Sequence, residues 1–432
     1  MNFRPMLLLF VACICMTSVF TSCSNDDDNY ILQQADVKLS EPDGGFKALV
    51  GEIFTLTPES VSDDGVSYEW FLDSESISTS KILEYTFEQA GTYTLKLVAK
   101  QAASSFEYPM NLVAGFSDAG GSTTDATAYI TKVFDFRPSI GQFTNKLPKY
   151  EDGDTQDTMN AKVLAAIGNN KRSMITLGGY GGYVVVGFDH TIENKEGLKD
   201  FRVLGNAYYA AANPDSNAPE GGSCEPGIIK VAYDINKNGV PDDNEWYEIA
   251  GSSHEDVTKE LWYDKAKTAG NDVNFYNDYK ITFYRPEVEP ETAEEKQQYI
   301  RWEDNKGNSG YKAKNSFHNQ PYFPQWIEGD ELIFEGARLP QNAVDESGKG
   351  TNYVLYKFRY GYADNETNTK DESAIDIDWA VNSRGQRVSL PGVDFIKIYT
   401  GVNQEVGWLG ENSTEIRGVV DLHILGEEIA TK

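Results

Sequence analysis

Histidine is scarce in this chain, and basic residues are outnumbered. Of 432 residues only four are histidines, and 38 lysines and arginines stand against 67 aspartates and glutamates, a formal net charge of −29. The four histidines (His190, His254, His318 and His423) include no H-E-x-x-H and no paired spacing for zinc. A G-x-S-x-G nucleophile elbow is also missing. A surface this acidic repels phosphate backbones, which argues against nucleic acid as a partner, while it favours solubility and attracts divalent cations. Long apolar runs are absent beyond the N-terminus. Three of the four cysteines (Cys13, Cys15 and Cys23) crowd into the first 23 residues, leaving Cys224 alone.

The N-terminal stretch reads as a targeting segment. Arg4 supplies a positive start, and the apolar run 6–20 is short for a bilayer span. It ends in Thr21-Ser22-Cys23, and small residues before a cysteine suit a lipoprotein signal peptidase, so residues 1–22 are expected to be removed and Cys23 acylated. Several acyl chains on one residue make attachment effectively permanent, and the membrane is expected to be met only through this anchor. Losing Arg4 takes the charge from −29 to −30. Losing Cys13 and Cys15 leaves Cys224 as the single free thiol, so no intramolecular disulfide is expected and stability must come from buried apolar surface. Residues 23–33 form an acidic tether. Ser24-Asn25-Asp26-Asp27-Asp28 resembles the export signal of Bacteroidota surface lipoproteins, which implies an outer-membrane, cell-surface location.

What is plentiful is tyrosine (25), phenylalanine (21) and glycine (38), a mixture suited to sheets and tight turns. Residues 34–113 read as short alternating strands at 46–50, 53–57, 67–72 and 93–99, punctuated by turn signals at 42–45, 63–65 and 90–91. Within them, Tyr68-Glu69-Trp70 followed by Tyr85-Thr86-Phe87-Glu88-Gln89-Ala90-Gly91-Thr92-Tyr93-Thr94-Leu95-Lys96-Leu97 resembles the PKD-type immunoglobulin-like domain. That resemblance implies Trp70 between two sheets, a closing G-x-Y-x-[LV] strand and a spacer role. Residues 114–127 (AGFSDAGGSTTDAT) read as a linker. The remaining 128–432 form one large unit or two intimately packed ones, with strand-like runs at 173–177, 183–188, 201–204, 227–233, 279–284, 331–334, 353–358 and 395–399. Helical stretches are predicted only at 158–167 and 292–300. The expected fold is mostly β: an N-terminal PKD/Ig-like β-sandwich, then a large β-sandwich-like (jelly-roll-like) domain with a few short helices.

The sharpest chemical motif spans residues 234–245 and satisfies D-x-[DN]-x-[DN]-G-x₅-E. Calcium takes six to eight oxygens, which Asp234, Asn236, Asn238, Asp242, the Val240 carbonyl and a bidentate Glu245 would supply, with Gly239 allowing the turn. The flanks are strand-like rather than helical, so a free-standing structural Ca²⁺ loop between strands is predicted; the plain alternative is an Asn/Gly turn with solvated carboxylates. Catalytic patterns are weak. Cys224 has an acidic neighbour, which raises a thiol's pKa rather than activating it. Asp376 and Asp378 form the kind of carboxylate pair that chance supplies among 67 acids. The glycine-rich run 177–183 lacks phosphate-loop spacing. No catalytic residue is assigned, and the chain is read as a binder rather than an enzyme.

Aromatic residues in turn-rich segments are the remaining signal. Flat side chains on loops offer large contact area at low entropic cost, suiting a sugar ring or a macrocycle. Tyr208, Tyr209, Tyr276, Trp302, Tyr322, Trp326 and Trp408 are the ligand-binding candidates. The motifs 183–190, 200–206, 225–231, 246–252, 284–286, 376–381 and 393–401 together resemble the C-terminal module of Bacteroidota surface lipoproteins that follows a PKD-like domain. Comparison with BtuH-type lipoproteins implies capture of vitamin B12 or another cobamide for an outer-membrane TonB-dependent transporter. A glycan-binding lipoprotein is the alternative, with a carboxylate-dependent glycoside hydrolase behind it.

Overall fold

The computed structural model describes residues 37–39, 41–42, 45–60, 65–101, 104–116, 126–169, 173–209 and 219–431. The leader, the tether and Cys23 lie outside these residues, as do 117–125 of the expected linker. The chain is mostly β, with five short α-helices among the described residues.

The N-terminal module is a sandwich. Its main sheet runs in the order Phe46–Leu49, Ser104–Gly115, Gly91–Gln101, Val66–Leu72, Glu75–Ser78, facing the pair Ile53–Leu56 and Leu83–Thr86. Phe46–Leu49 joins Leu112–Gly115 in parallel, while the other pairings are antiparallel. Alternation places Leu95, Leu97 and Ala99 inside and Lys96 outside, against Glu107. Trp70 is 0% exposed, and its indole N–H donates to the Ser80 carbonyl at 2.9 Å. The tryptophan is core.

A six-stranded antiparallel sheet centres the second module: Lys132–Arg137, Tyr183–Glu193, Gly392–Thr400, Gly227–Ala232, Trp246–Ile249, Ala380–Val381. Consecutive buried residues (Val184, Val185 and Val186; Ile228 and Ile229) show that both faces of the sheet are covered, since neighbours on a strand point to opposite sides. Helix Gln156–Ile167 lies against the first strand. It buries Met159, Val163 and Ile167 at four-residue spacing and is capped by Thr155, while Asn160 accepts from the Phe136 N–H at 3.0 Å. Three further sheets of three or four strands surround this centre, with two two-stranded pairs, Ile175–Thr176 with Glu415–Ile416 and Leu198–Lys199 with Ile429–Ala430. One is Tyr208–Tyr209, Gly221–Ser223, Tyr353–Tyr356, Ala343–Asp345; the others are Ser309–Lys312, Ile300–Asp304, Tyr276–Tyr284, Glu331–Arg338, and Ala374–Ile375, Phe201–Leu204, Gly418–Asp421.

Two local expectations change. The helix predicted over 292–300 is confined to Ala293–Gln297, started by a Thr292–Glu295 capping box, because Ile300 pairs across a strand with Lys312. Three helices without sequence warning, Ser252–Asp256, Tyr263–Thr268 and Leu422–Leu425, interrupt the β pattern. The first module also packs directly on the second. Tyr247 accepts the Ala90 N–H at 3.0 Å, Asn382 donates to the Ala90 carbonyl at 2.9 Å, Phe116 packs edge-on against Tyr233 and Tyr247, and Arg384 pairs with Asp73 over the Tyr93 ring. Removing the Tyr247 hydroxyl leaves a buried amide without an acceptor, at a cost of about 1–3 kcal/mol. Tyr247→Phe should therefore lower the urea midpoint and speed amide exchange at Ala90; unchanged exchange there would show that the modules do not bear on each other.

Candidate functional site

Loops and the edges of two sheets border a cleft of about 430 Å³. One wall is the short sheet carrying Tyr208, Gly222, Ser223 and Leu355; the opposite wall is the segment 406–415, with Gln142 and Phe143 closing one end. Gly407-Trp408-Leu409-Gly410 makes the rim. Its glycines take φ of 55° and 91°, and a side chain on Gly407 would strike the Tyr353 hydroxyl at 2.3 Å, so glycine is required for this turn to lift Trp408 outward. Trp408 is 58% exposed and Tyr208 59%. Two large aromatic faces thus flank a polar interior.

That interior is acidic. Glu225, Glu411 and Glu415 line it, and Asp364, buried behind the lining, brings its carboxylate within 4.8 Å of those of Glu225 and Glu415. Asp364 accepts the backbone N–H groups of Asn206, Ala207 and Glu415 at 2.7, 2.8 and 2.9 Å. Glu415 accepts from the Thr176 and Ser413 hydroxyls at 3.1 and 2.9 Å, and Glu225 from the Ser223 hydroxyl at 3.0 Å. Asn206 sits between Glu415 and Asp364, and with its NH₂ turned to Asp364 it donates to both oxygens at 3.2 Å. Among the described residues, no lysine, arginine or histidine forms an ion pair with the three. Burial comes first in raising all three carboxyls; the charge of Glu225 adds to Asp364 and Glu415, and that of Asp364 to Glu415. Glu411, whose carboxylate accepts the Gln142 N–H at 2.7 Å, is pushed up to about 8 by burial and then by Glu405. Three hard oxygen ligands at this spacing can share protons or hold a divalent cation.

The sequence candidates scatter. Tyr208 and Trp408 meet at the cleft. Tyr209 instead accepts from Lys357 at 3.1 Å. Tyr322 and Trp326 are core, the latter stacked 5.7 Å from Phe136, so neither is open to a ligand. Tyr276 is held by Asp272 and lies under Arg338, and Trp302 covers Gly310. The four carboxylates were missed, since separations up to 190 positions (225 to 415) carry no local pattern. Cys224 is fully buried, and that burial, with Asp364 next, pushes its thiol well up, the opposite of a nucleophile. Asp376 caps a 3₁₀ turn through the Asp378 N–H and takes the Thr431 hydroxyl, a structural placement.

The loop 234–245 joins the strands Gly227–Ala232 and Trp246–Ile249, between strands as predicted. Asp234 accepts from the Asn238 and Gly239 N–H groups at 3.1 and 2.8 Å, and Gly239 takes φ 75°. Asp242 accepts from the Asn236 and Asn238 amides at 2.6 and 2.8 Å, and Glu245 from the Ile235 and Asp242 N–H groups at 2.9 and 3.2 Å. Val240 is exposed, Glu245 ends the 3₁₀ turn Asp243–Glu245, and the loop's carboxylates are turned to N–H groups of the loop itself; among the described residues Asp234, Asp242 and Glu245 do not form a cluster of converging carboxylates.

Residues 35–101 match the PKD-like domain family. The N-terminal sandwich is therefore a PKD-like module. Among curated proteins nothing matches. Similar solved structures include fibronectin(III)-like modules of Clostridium thermocellum CbhA (12% identity, 40% of this chain and 68% of that one, TM-score 0.17). Another is SGBP-B of the Bacteroides ovatus mixed-linkage glucan utilization locus, in complex with a mixed-linkage heptasaccharide (15% identity, 44% of this chain and 38% of that one, TM-score 0.15). A third is a SusE-like protein (9% identity, 90% and 96%, TM-score 0.22). Superpositions this loose carry no argument about a ligand. No helix among the described residues is long and apolar enough to cross a membrane.

The acids have a stability signature. In the cation-free protein the native state keeps a proton on Glu411 that the unfolded chain gives up above its ordinary value of 4.5. Stability should then fall as the pH rises from there to about 8, by roughly 1.4 kcal/mol per pH unit for each such group. Glu411→Gln should flatten the slope of urea midpoints against pH; an unchanged slope would contradict the placement of this carboxyl.

Proposed function

We propose that this chain is a lipid-anchored capture protein of the bacterial surface, whose cleft under Tyr208 and Trp408 takes a hydroxyl-rich ligand of the glycan class. The observation that carries this is the pairing of two half-exposed aromatic faces with an interior of carboxylates and amides. A sugar ring presents an apolar face for stacking and hydroxyls that donate to buried acceptors, and Glu225, Glu411, Glu415, Gln142 and Asn206 supply those acceptors. The cleft volume falls in the range of small-ligand sites. A cobamide, implied by the resemblance to BtuH-type lipoproteins, is the competing ligand, and delivery to a TonB-dependent transporter belongs with it.

Calcium is the second element of the reading. The donor set of loop 234–245 fits a hard cation, with Asp234, Asn236, Asn238, Asp242, Glu245 and the Val240 carbonyl holding it. Its contribution is to stiffen the turn between two central strands; no chemistry passes through it.

A glycan array followed by calorimetry should give binding that Trp408→Ala or Tyr208→Ala weakens about tenfold or more, since base-like stacking platforms of this kind are worth about 1–3 kcal/mol. Saturable binding of cyanocobalamin with no glycan bound would overturn the glycan reading. Calcium should raise the thermal midpoint of the chain, and Glu245→Gln should abolish that rise; a calcium response surviving this substitution would remove the loop as the site.

A further inference from the structure

Phe143, at one end of the cleft, is shared. The half-buried ring also lines a second basin, of about 630 Å³, whose remaining walls come from positions 145–150 and 320–325. Asn145 fixes these two segments on each other. Held at φ 69°, it donates to the Pro321 and Phe323 carbonyls at 2.8 and 2.9 Å and accepts the Gln325 N–H at 3.0 Å. Gln320, on the basin, donates to the backbone carbonyl of Gln142, on the cleft. The two hollows therefore adjoin across one aromatic ring and one hydrogen bond.

The basin's lining is unlike the rest of the chain. Phe143, Leu147, Tyr150 and Pro321 make it largely apolar, and its charged groups are Lys146 and Lys149, with no carboxylate beside them. Where acids outnumber bases by 67 to 38, this is a local reversal of sign. Lys146 is exposed and forms no ion pair among the described residues; its Nζ donates to His318 Nδ1 at 3.4 Å. Burial, and then Lys146 itself, holds His318 below its usual range, so this partner is neutral and the ammonium keeps its charge uncancelled. Lys149 meets Glu151 at 3.2 Å, but both are well exposed and Glu151 is shared with Lys162 at 3.7 Å, so that pair offsets little.

We propose that the cleft and this basin form one groove for an acidic oligosaccharide. One sugar ring stacks under Tyr208 and Trp408, the chain passes Phe143, and an anionic substituent of a following residue lies against Lys146. This rests on the glycan reading of the cleft and adds the length and charge of the ligand. The apolar floor suits the C–H face of a second ring. A lysine ammonium is a compact charge on a flexible stem, so it takes a uronate carboxylate or a sulfate ester alike. Repulsion from distant acids is screened beyond about 8 Å at physiological ionic strength, which leaves the neighbouring lysine to decide.

The test is an array that carries each oligosaccharide backbone in neutral, uronate and sulfated forms, followed by calorimetry of the best binder at low and high salt. Anionic forms should bind at least about tenfold more tightly than the neutral form of the same backbone, the margin of one charge-assisted contact, and salt should erode it. Lys146→Gln should abolish that margin, with thermal midpoints confirming that the variant folds. The tighter of the uronate and sulfated forms then names the substituent. Neutral forms binding as tightly as anionic ones, or a margin that survives Lys146→Gln, would overturn the proposal and leave glycan capture by the cleft standing. Anionic binding that needs Lys146 yet ignores Trp408→Ala would separate basin from cleft and overturn the single groove. No glycan bound at all would remove the reading of the cleft and this proposal together.

Discussion

Four carboxylates drawn out of water around one cleft, none in an ion pair with a described basic residue, are the constraint on which the rest of this structure turns. An uncompensated buried charge is too costly to keep, so each group must hold a proton, a hydrogen bond or a cation. The fold supplies the hydrogen bonds from backbone that is itself fixed. Asp364 is gripped by three N–H groups from two separate segments, and Glu411 by Gln142 across the cleft. The same segment that carries Glu411 and Glu415 carries Trp408, so the acidic interior and the aromatic rim are set by one stretch of chain. The acceptors are thus held in place, and the low dielectric around them strengthens each hydrogen bond they make.

Legibility in the sequence followed the range of the interaction. Local patterns were readable: the alternation around Leu95 and Leu97, the core role of Trp70, most of helix Gln156–Ile167 from the stretch 158–167, and the placing of loop 234–245 between two strands. The end of the second predicted helix was misplaced because pairing of Ile300 with Lys312 overrides the helical preference of 298–300, a tertiary effect invisible in composition. Five of seven aromatic candidates proved to lie away from the cleft, since tyrosine and tryptophan in short-strand proteins fill cores as readily as they coat loops. The carboxylate cluster was not readable, as its members come from three distant segments among 67 acids. One trace of it exists: Glu411-Asn412-Ser413-Thr414-Glu415 is a polar run buried throughout, and its neighbours Gly407 and Gly410 mark a specially shaped turn.

The two modules also belong together physically. Tyr233 and Tyr247 flank loop 234–245, Ile235 lies within it, and the PKD-like module packs on that edge through Phe116, Ala90 and Gly51. A stiffened loop therefore bears on how firmly the first module is seated. The cleft lies elsewhere on the second module, lined by none of these contact residues.

The most direct test of the central claim is a carboxyl ¹³C NMR titration of the cation-free protein, with Glu225, Asp364, Glu411 and Glu415 assigned by single amide substitutions. The account requires carboxyls that still carry protons at neutral pH, Glu411 titrating near 8 among them. If all four lose their protons within the ordinary carboxylate range, the cluster is solvated and the cleft as described here does not exist.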